Sequence, residues 1–62
     1  MKKEIILKAI RSAGYRGIET SEIFLLFPRD NKANIRRLIR HLVSEGLIRG
    51  EMRGEKKIWF AL

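Results

Sequence analysis

The chain has 62 residues, which allows one domain with a small core, since a chain of this length buries only about 60% of its unfolded surface. Fourteen Lys and Arg against seven Asp and Glu give a net charge of +7, a balance that favours an anionic partner such as nucleic acid. With no cysteine and one histidine, disulfides and a self-contained zinc site are excluded, and no apolar run approaches the ~20 residues of a membrane span.

The first predicted helix runs from Lys3 to Ala13. Its apolar residues recur at helical spacing and predict one buried stripe, made of Ile6, Ala9, Ile10 and Ala13. Gly14 is a suitable C-terminal stop. The segment that follows contains Gly17-Ile18-Glu19, for which we predict a short stub of strand.

The second predicted helix is short, from about Ser21 to Phe27, with Thr20 or Ser21 as its N-cap and Pro28 ending it. Its inward side needs only three apolar residues, Ile23, Leu26 and Phe27. Two more cannot both be buried by so small a domain, and they are Phe24 and Leu25. They are either ordinary exposed apolar residues or, with Leu7 or Ile5, a surface for a protein partner or a second copy. We expect a homodimer.

The third predicted helix, from about residue 31 to 45, is the most informative segment. We expect Asp30 to cap it and Gly46 to end it. One face is aliphatic, formed by Ile35, Leu38, Ile39 and Leu42. The opposite face is mostly cationic and includes Ala33, Arg36, Arg37 and Arg40. A helix with these two faces is suited to pack against the core and press on a polyanion.

The last segment is predicted to be a β-hairpin, with strands Leu47–Met52 and Lys56–Leu62 and a turn at Arg53-Gly54. The second strand alternates, and we assign one set of side chains to the core: Ile58, Phe60 and Leu62. Trp59 then lies on the other face, either half-buried against the first helix or part of a contact surface.

This order of elements resembles the winged helix-turn-helix family of DNA-binding domains over essentially the whole chain, residues 1–62. The resemblance is carried by Ile35…Leu38-Ile39…Leu42…Glu45-Gly46-Leu47-Ile48, by Thr20-Ser21-Glu22-Ile23 and by the final strand. Small archaeal and bacterial regulators of the MarR and ArsR type share these features. The resemblance implies an α+β fold, with three helices and a C-terminal wing of two or three β-strands.

We expect the third helix to enter the major groove of duplex DNA with the 47–62 hairpin as a wing. The residues predicted to contact bases are Ala33, Asn34, Arg36 and Arg37. Those predicted to contact phosphates are Arg29, Lys32, Arg40, His41, Arg49 and Arg53. A partner or dimer surface would comprise Phe24, Leu25, Leu7 and Trp59.

The favoured hypothesis is a cytoplasmic, nucleoid-associated transcription regulator that binds a specific DNA sequence and acts by occupancy. Two alternatives are a winged-helix module that docks a protein partner, and a replication or chromatin domain that binds DNA with little sequence preference. No constellation of catalytic groups points to an enzyme, and we expect no cofactor, metal or small-molecule ligand. The absence of Gln and Cys is weakly typical of a thermophile.

Overall fold

The computed structural model describes all 62 residues and contains three α-helices and one three-stranded antiparallel sheet. The elements are α1 (Lys2–Ala13), a 3-10 turn (Gly14–Arg16), β1 (Ile18–Glu19), α2 (Thr20–Leu25), α3 (Lys32–Ser44), β2 (Ile48–Arg53) and β3 (Lys56–Ala61). The predicted α+β architecture is confirmed, and the predicted strand stub is a true third strand. None of the helices is both long and apolar enough to cross a bilayer.

The core is a single aliphatic cluster to which every helix and one strand contribute. Each of its members is at most 1% exposed, and they are Ile6, Ile10, Ile23, Ile35, Ile39, Leu42 and Ile48. Full burial of an aliphatic side chain of this size stabilises a fold by about 1.5–3 kcal/mol. The aliphatic stripes predicted for α1 and α3 therefore form the structural centre that fixes α3 against the rest of the chain.

Helix α1 starts one residue before the predicted position and ends as predicted. The Glu4 carboxylate accepts a hydrogen bond from the N-terminal ammonium of Met1, and this contact lowers the pKa of Glu4 below its ordinary value. At the end of α3, Gly46 has a φ of +74°, and the Leu47 N–H returns to the Leu42 carbonyl at 3.1 Å. Gly46 thus stops α3 as predicted.

Both predicted N-caps are wrong. The N-cap of α2 is Glu19, and the Thr20 hydroxyl is engaged elsewhere, as acceptor of the Trp59 indole N–H. The N-cap of α3 is Asn31, whose side chain accepts the Ala33 N–H at 2.7 Å. Asp30 instead forms an ion pair with Lys2 at 2.8 Å, so a partner on α1 draws this carboxylate away from the helix end.

The burial predicted for α2 needs one correction. The helix ends at Leu25, two residues earlier than predicted. Leu26 is therefore outside the helix, and the helical spacing that predicted its burial does not apply to it. Leu26 is 41% exposed, whereas Phe24 and Phe27 are partly buried against the core. Leu25 is 75% exposed, so Phe24 and Leu25 are indeed not both buried.

Strand β3 lies at the centre of the sheet, antiparallel to β1 on one side and β2 on the other. The face of β3 that packs on the helical core carries Trp59 and Ala61, which reverses the predicted assignment. Ile58 and Phe60 are buried, but on the opposite face of the sheet and outside the core cluster. Leu62 lies beyond β3 and is 73% exposed.

On the opposite face of the sheet, two arginine side chains cover Phe60. The guanidinium groups of Arg49 and Arg53 lie 4.5 and 5.4 Å from the centre of the Phe60 ring, and both arginines pair with Glu51. A cation over an aromatic face is attracted by the negative charge of the ring face. The aliphatic part of the arginine side chain also shields the ring from water. This cover, together with the close approach of Gly17 to the edge of the ring, accounts for the burial of Phe60 outside the core cluster.

Candidate nucleic-acid interface

The outer face of α3 is a cationic surface fixed from behind by buried aliphatic residues. Ile35, Ile39 and Leu42 lock one side of the helix into the core, and helical spacing then turns Arg36, Arg37 and Arg40 outward, where all three are exposed. None of the three is in an ion pair with a carboxylate. The arrangement predicted from the sequence is therefore present.

The acidic residues neutralise cations elsewhere in the molecule. Five carboxylates are in ion pairs, and their lysine and arginine partners lie on α1 and in the sheet: Lys2–Asp30, Lys3–Glu45, Arg49–Glu51, Arg53–Glu51 and Lys56–Glu19, with Glu4 on the N-terminus. The cations of α3 and the turn before it have no such partner: Arg29, Lys32, Arg36, Arg37 and Arg40. Nine of the fourteen lysines and arginines have no carboxylate partner, and five of these nine lie together on α3 and in the turn before it.

The N-terminal half of α3 holds the four residues predicted to contact bases. Ala33 is exposed in the first turn, and Asn34, half-buried, lies one helical turn before Arg37. A guanidinium nitrogen of Arg37 donates to the side-chain oxygen of Asn34. This bond leaves the other guanidinium N–H groups of Arg37 free and restricts the side chain to fewer orientations. A guanidinium group restricted in this way is preorganised to donate two parallel hydrogen bonds to a pair of acceptors in one plane.

Two further cations are held over an aromatic ring beside α3. The Lys32 ammonium lies 5.5 Å and the Arg36 guanidinium 5.3 Å from the centre of the Phe24 ring. Phe24 is partly buried against the core, so this ring is a fixed support. It holds both charges near the start of α3, where Arg29 is also exposed in the preceding turn.

A groove of about 270 Å³ separates α3 from the wing. Its lining consists of Thr20, Arg36, Ile39, Arg40, Lys57 and Trp59. The Trp59 indole N–H donates to the Thr20 hydroxyl at 2.8 Å, and the Lys57 ammonium lies 5.3 Å from the centre of the indole ring. Trp59 therefore forms the half-buried floor of this groove, beside α2 and α3. It combines the two roles that the sequence left open, since it is half-buried and also lines a surface groove.

Lys57 is a candidate site residue that the sequence prediction missed. The signal was the alternation of β3, in which Lys57, Trp59 and Ala61 share a face. Assigning Ile58 and Phe60 to the core face places Lys57 on the wrong side of the wing. Its exposed side chain faces the same groove as the arginines of α3.

The other predicted phosphate-binding residues are dispersed. Arg49 and Arg53 lie on the sheet face opposite Trp59, where they cover Phe60 and pair with Glu51. His41 is exposed on α3, one position beyond Arg40. The structure thus brings together the predicted residues of α3 and separates them from the two predicted arginines of the wing.

The residues of the predicted partner surface differ in exposure. Leu7, Phe24 and Trp59 all pack against the core cluster, so Leu25 is its most exposed member, with Ile5 50% exposed on α1. A depression of about 360 Å³ lies beside Leu25, between α2 and the start of α3. No group of three or more His, Asp or Glu side chains is placed to hold a metal ion.

Comparison with known proteins supports the fold by structure rather than by sequence. No protein-family model and no curated protein sequence matches the chain. A solved structure of HOP2, described in terms of its DNA recognition and protein interaction domains and its homologous DNA pairing properties, matches with a TM-score of 0.79. The match covers 100% of both chains at 25% sequence identity. The predicted winged-helix fold is confirmed by this likeness.

Proposed function

We propose that this chain is a duplex-DNA-binding domain whose helix α3 enters the major groove. The observation that carries the proposal is the cationic face of α3, because none of the lysine and arginine side chains of this helix is in an ion pair. An α-helix fits the major groove, and the residues of its N-terminal half reach base edges. The likeness to HOP2, described by its DNA recognition domain, supports the same role.

We assign the base contacts to the first turns of α3. The Arg37 guanidinium, oriented by Asn34, is suited to donate two hydrogen bonds to O6 and N7 of a guanine, a contact that discriminates between bases by ~1–3 kcal/mol. Ala33 lets the helix approach closely and contacts a thymine methyl group. Arg29, Lys32 and Arg40 flank these residues and bind phosphates.

We extend the proposal to a sequence-specific regulator of transcription that acts by occupying its site, of the small MarR or ArsR type. As a homodimer it would present two α3 helices to a pseudo-palindromic sequence. The second candidate is DNA binding with little sequence preference, and the likeness to HOP2, described by homologous DNA pairing, favours it. The two candidates use the same face of α3 and differ in whether Arg37 discriminates between bases.

The test is a salt series of duplex-DNA affinities, measured by fluorescence anisotropy on random and selected sequences. The three phosphate contacts assigned to Arg29, Lys32 and Arg40 predict a slope of log K against log salt of about −3. We expect Arg40→Ala to make the slope less negative by about 0.9 and to weaken all sequences alike. Arg37→Ala should cost roughly 10-fold or more on the selected sequence and little on random DNA.

The matched control is Arg11→Ala, which removes the same side chain from the exposed face of α1. Arg11, like Arg37 and Arg40, has no carboxylate partner, so the three variants change the net charge equally without breaking an ion pair. If Arg11→Ala weakens DNA binding as much as Arg40→Ala, only net charge matters and the assignment to α3 is wrong. Equal losses on random and selected DNA for Arg37→Ala would favour the second candidate.

A further inference from the structure

We infer that the wing contacts DNA through Lys57, which binds a backbone phosphate in the groove it shares with Arg36 and Arg40, and that Arg49 and Arg53 do not bind it. This inference rests on the proposed function and names a further contact of the same site. Its ligand is the phosphodiester backbone beside the major groove that α3 occupies.

The register of the sheet decides which cations of the wing face α3. Lys57 is paired with Met52 and Trp59 with Gly50, so these four residues share one face. On the opposite face, Arg49 is paired with Phe60 and Arg53 with Lys56. Because Trp59 packs on the helical core, the face of Lys57 is the one that continues the cationic surface of α3.

Thr20 anchors this part of β3 through two hydrogen bonds, one at Lys57 and one at Trp59. The Thr20 hydroxyl donates to the Lys57 carbonyl at 3.4 Å and accepts from the Trp59 indole at 2.8 Å. One hydroxyl on α2 therefore ties the backbone and the floor of the groove together. The Lys57 side chain starts from this anchored backbone and lines the groove beside Arg36 and Arg40.

Gly50 provides the space in which the Lys57 side chain lies. A Cβ added at Gly50 would come within 2.6 Å of the Lys57 Cε and 2.7 Å of a Trp59 ring carbon. The lysine chain and the indole therefore both lie flat against the backbone of β2. We assign Gly50 the role of a positioning residue, which directs the Lys57 ammonium without touching DNA itself.

The two arginines of β2 are already engaged in the fold. Glu51 accepts a hydrogen bond from Arg49 at 3.2 Å and forms an ion pair with Arg53 at 3.7 Å. Both arginines also lie over Phe60. Moving either one to a phosphate would lose its Glu51 pairing and uncover an aromatic ring that is only 6% exposed. Lys57 has no carboxylate partner, and the ring over which its ammonium lies, Trp59 at 5.3 Å, lines the same groove beside α3.

The experiment compares Lys57→Ala with Lys56→Ala, its neighbour on the opposite face, which pairs with Glu19. Without one phosphate contact, DNA binding releases about one counterion fewer. Lys57→Ala should therefore weaken binding about eight-fold at 0.1 M salt and make the salt slope less negative by about 0.9. Lys56→Ala and Arg53→Ala should leave the slope unchanged. Lys57→Arg keeps the charge and should retain the slope of the unmodified chain.

Trp59 is the sole tryptophan and reports on the same groove. DNA should change its fluorescence in the unmodified chain, and Gly50→Ala should diminish both that change and the affinity while circular dichroism confirms the fold. If the unmodified chain binds DNA and Lys57→Ala behaves as Lys56→Ala does, this inference fails alone. A loss of slope on Arg53→Ala instead would also overturn it, whereas failure of the unmodified chain to bind DNA removes the proposed function itself.

Discussion

The close approach of Gly17 to the central strand leads to a sharp test of how the sheet is held. Gly17 has φ +72° and ψ −179°, a conformation that residues with a Cβ essentially avoid. A Cβ at this position would lie 2.6 Å from Ile58 Cγ2, 2.7 Å from Phe60 Cε1 and 2.9 Å from the Trp59 carbonyl oxygen. The first two atoms belong to buried side chains, and the third cannot move without moving β3.

The expected cost of Gly17→Ala has two parts. The backbone conformation costs about 1–3 kcal/mol for a residue other than glycine, and the overpacking against β3 costs about another 1–3 kcal/mol. A domain of this size has a total free energy of unfolding of roughly 3–9 kcal/mol. Gly17→Ala is therefore expected to remove a large share of the stability of the chain.

Gly14→Ala is the matched control, because Gly14 has a similar backbone (φ 60°, ψ −142°) and no atom within 4 Å of an added Cβ. It should show the conformational cost alone. Urea unfolding followed by Trp59 fluorescence and by circular dichroism measures both variants. We expect Gly17→Ala to be less stable than Gly14→Ala by about 1–3 kcal/mol, with a melting temperature about 4–8 °C lower per kcal/mol.

Equal losses for the two glycine variants would refute this reasoning, because the steric contribution would then be absent. That result would mean that β3 yields to the added methyl group, and the burial of Ile58 and Phe60 would not require a close approach by the Gly17 backbone. A normal stability for Gly17→Ala would refute the conformational part as well.

Two further predictions concern α2. Thr20→Val leaves the half-buried Trp59 indole N–H without its partner and should cost about 1–3 kcal/mol in urea unfolding, while Thr20→Ser, which keeps the hydroxyl, should cost clearly less; equal losses would show that the hydroxyl is not the cause. If the chain is a homodimer through its exposed α2 surface, Leu25→Glu should convert it to a folded monomer. Sedimentation at micromolar concentration measures this change, and an unmodified chain that is already monomeric at that concentration excludes the homodimer.

The sequence predicted the long elements well for a physical reason. In α1 and α3 the apolar residues repeat with the period of a helix and the remaining positions are polar, so one orientation buries far more apolar surface than any other. Ile6, Ile10, Ile35, Ile39 and Leu42 are all buried as expected. Once that orientation is fixed, the outward direction of the α3 arginines follows from helical geometry, and so most of the candidate site could be predicted.

The N-caps of α2 and α3 could not be predicted, because several side chains compete for the unpaired N–H groups of the first helical turn. Asp30 and Asn31 are both good caps, and the choice between them depends on Lys2, a residue of α1 that takes Asp30 as its ion-pair partner. Thr20 is likewise a good cap by composition, but its hydroxyl binds Trp59 from β3. These decisions are tertiary contacts across the chain, and local sequence does not contain them.

Which face of β3 packs on the helices is likewise decided by tertiary contacts and not by local sequence. Ile58, Trp59, Phe60 and Ala61 are all apolar, so the two-residue alternation that normally separates core from solvent does not distinguish the two faces. The choice depends on Thr20, which holds the indole at the helices, and on Gly50, which leaves room for it. It also decides which wing cations join the surface of α3. With Phe60 inward, Arg49 and Arg53 would face the groove beside α3. With Trp59 inward, Lys57 faces it, and the two arginines instead cover the far side of the sheet.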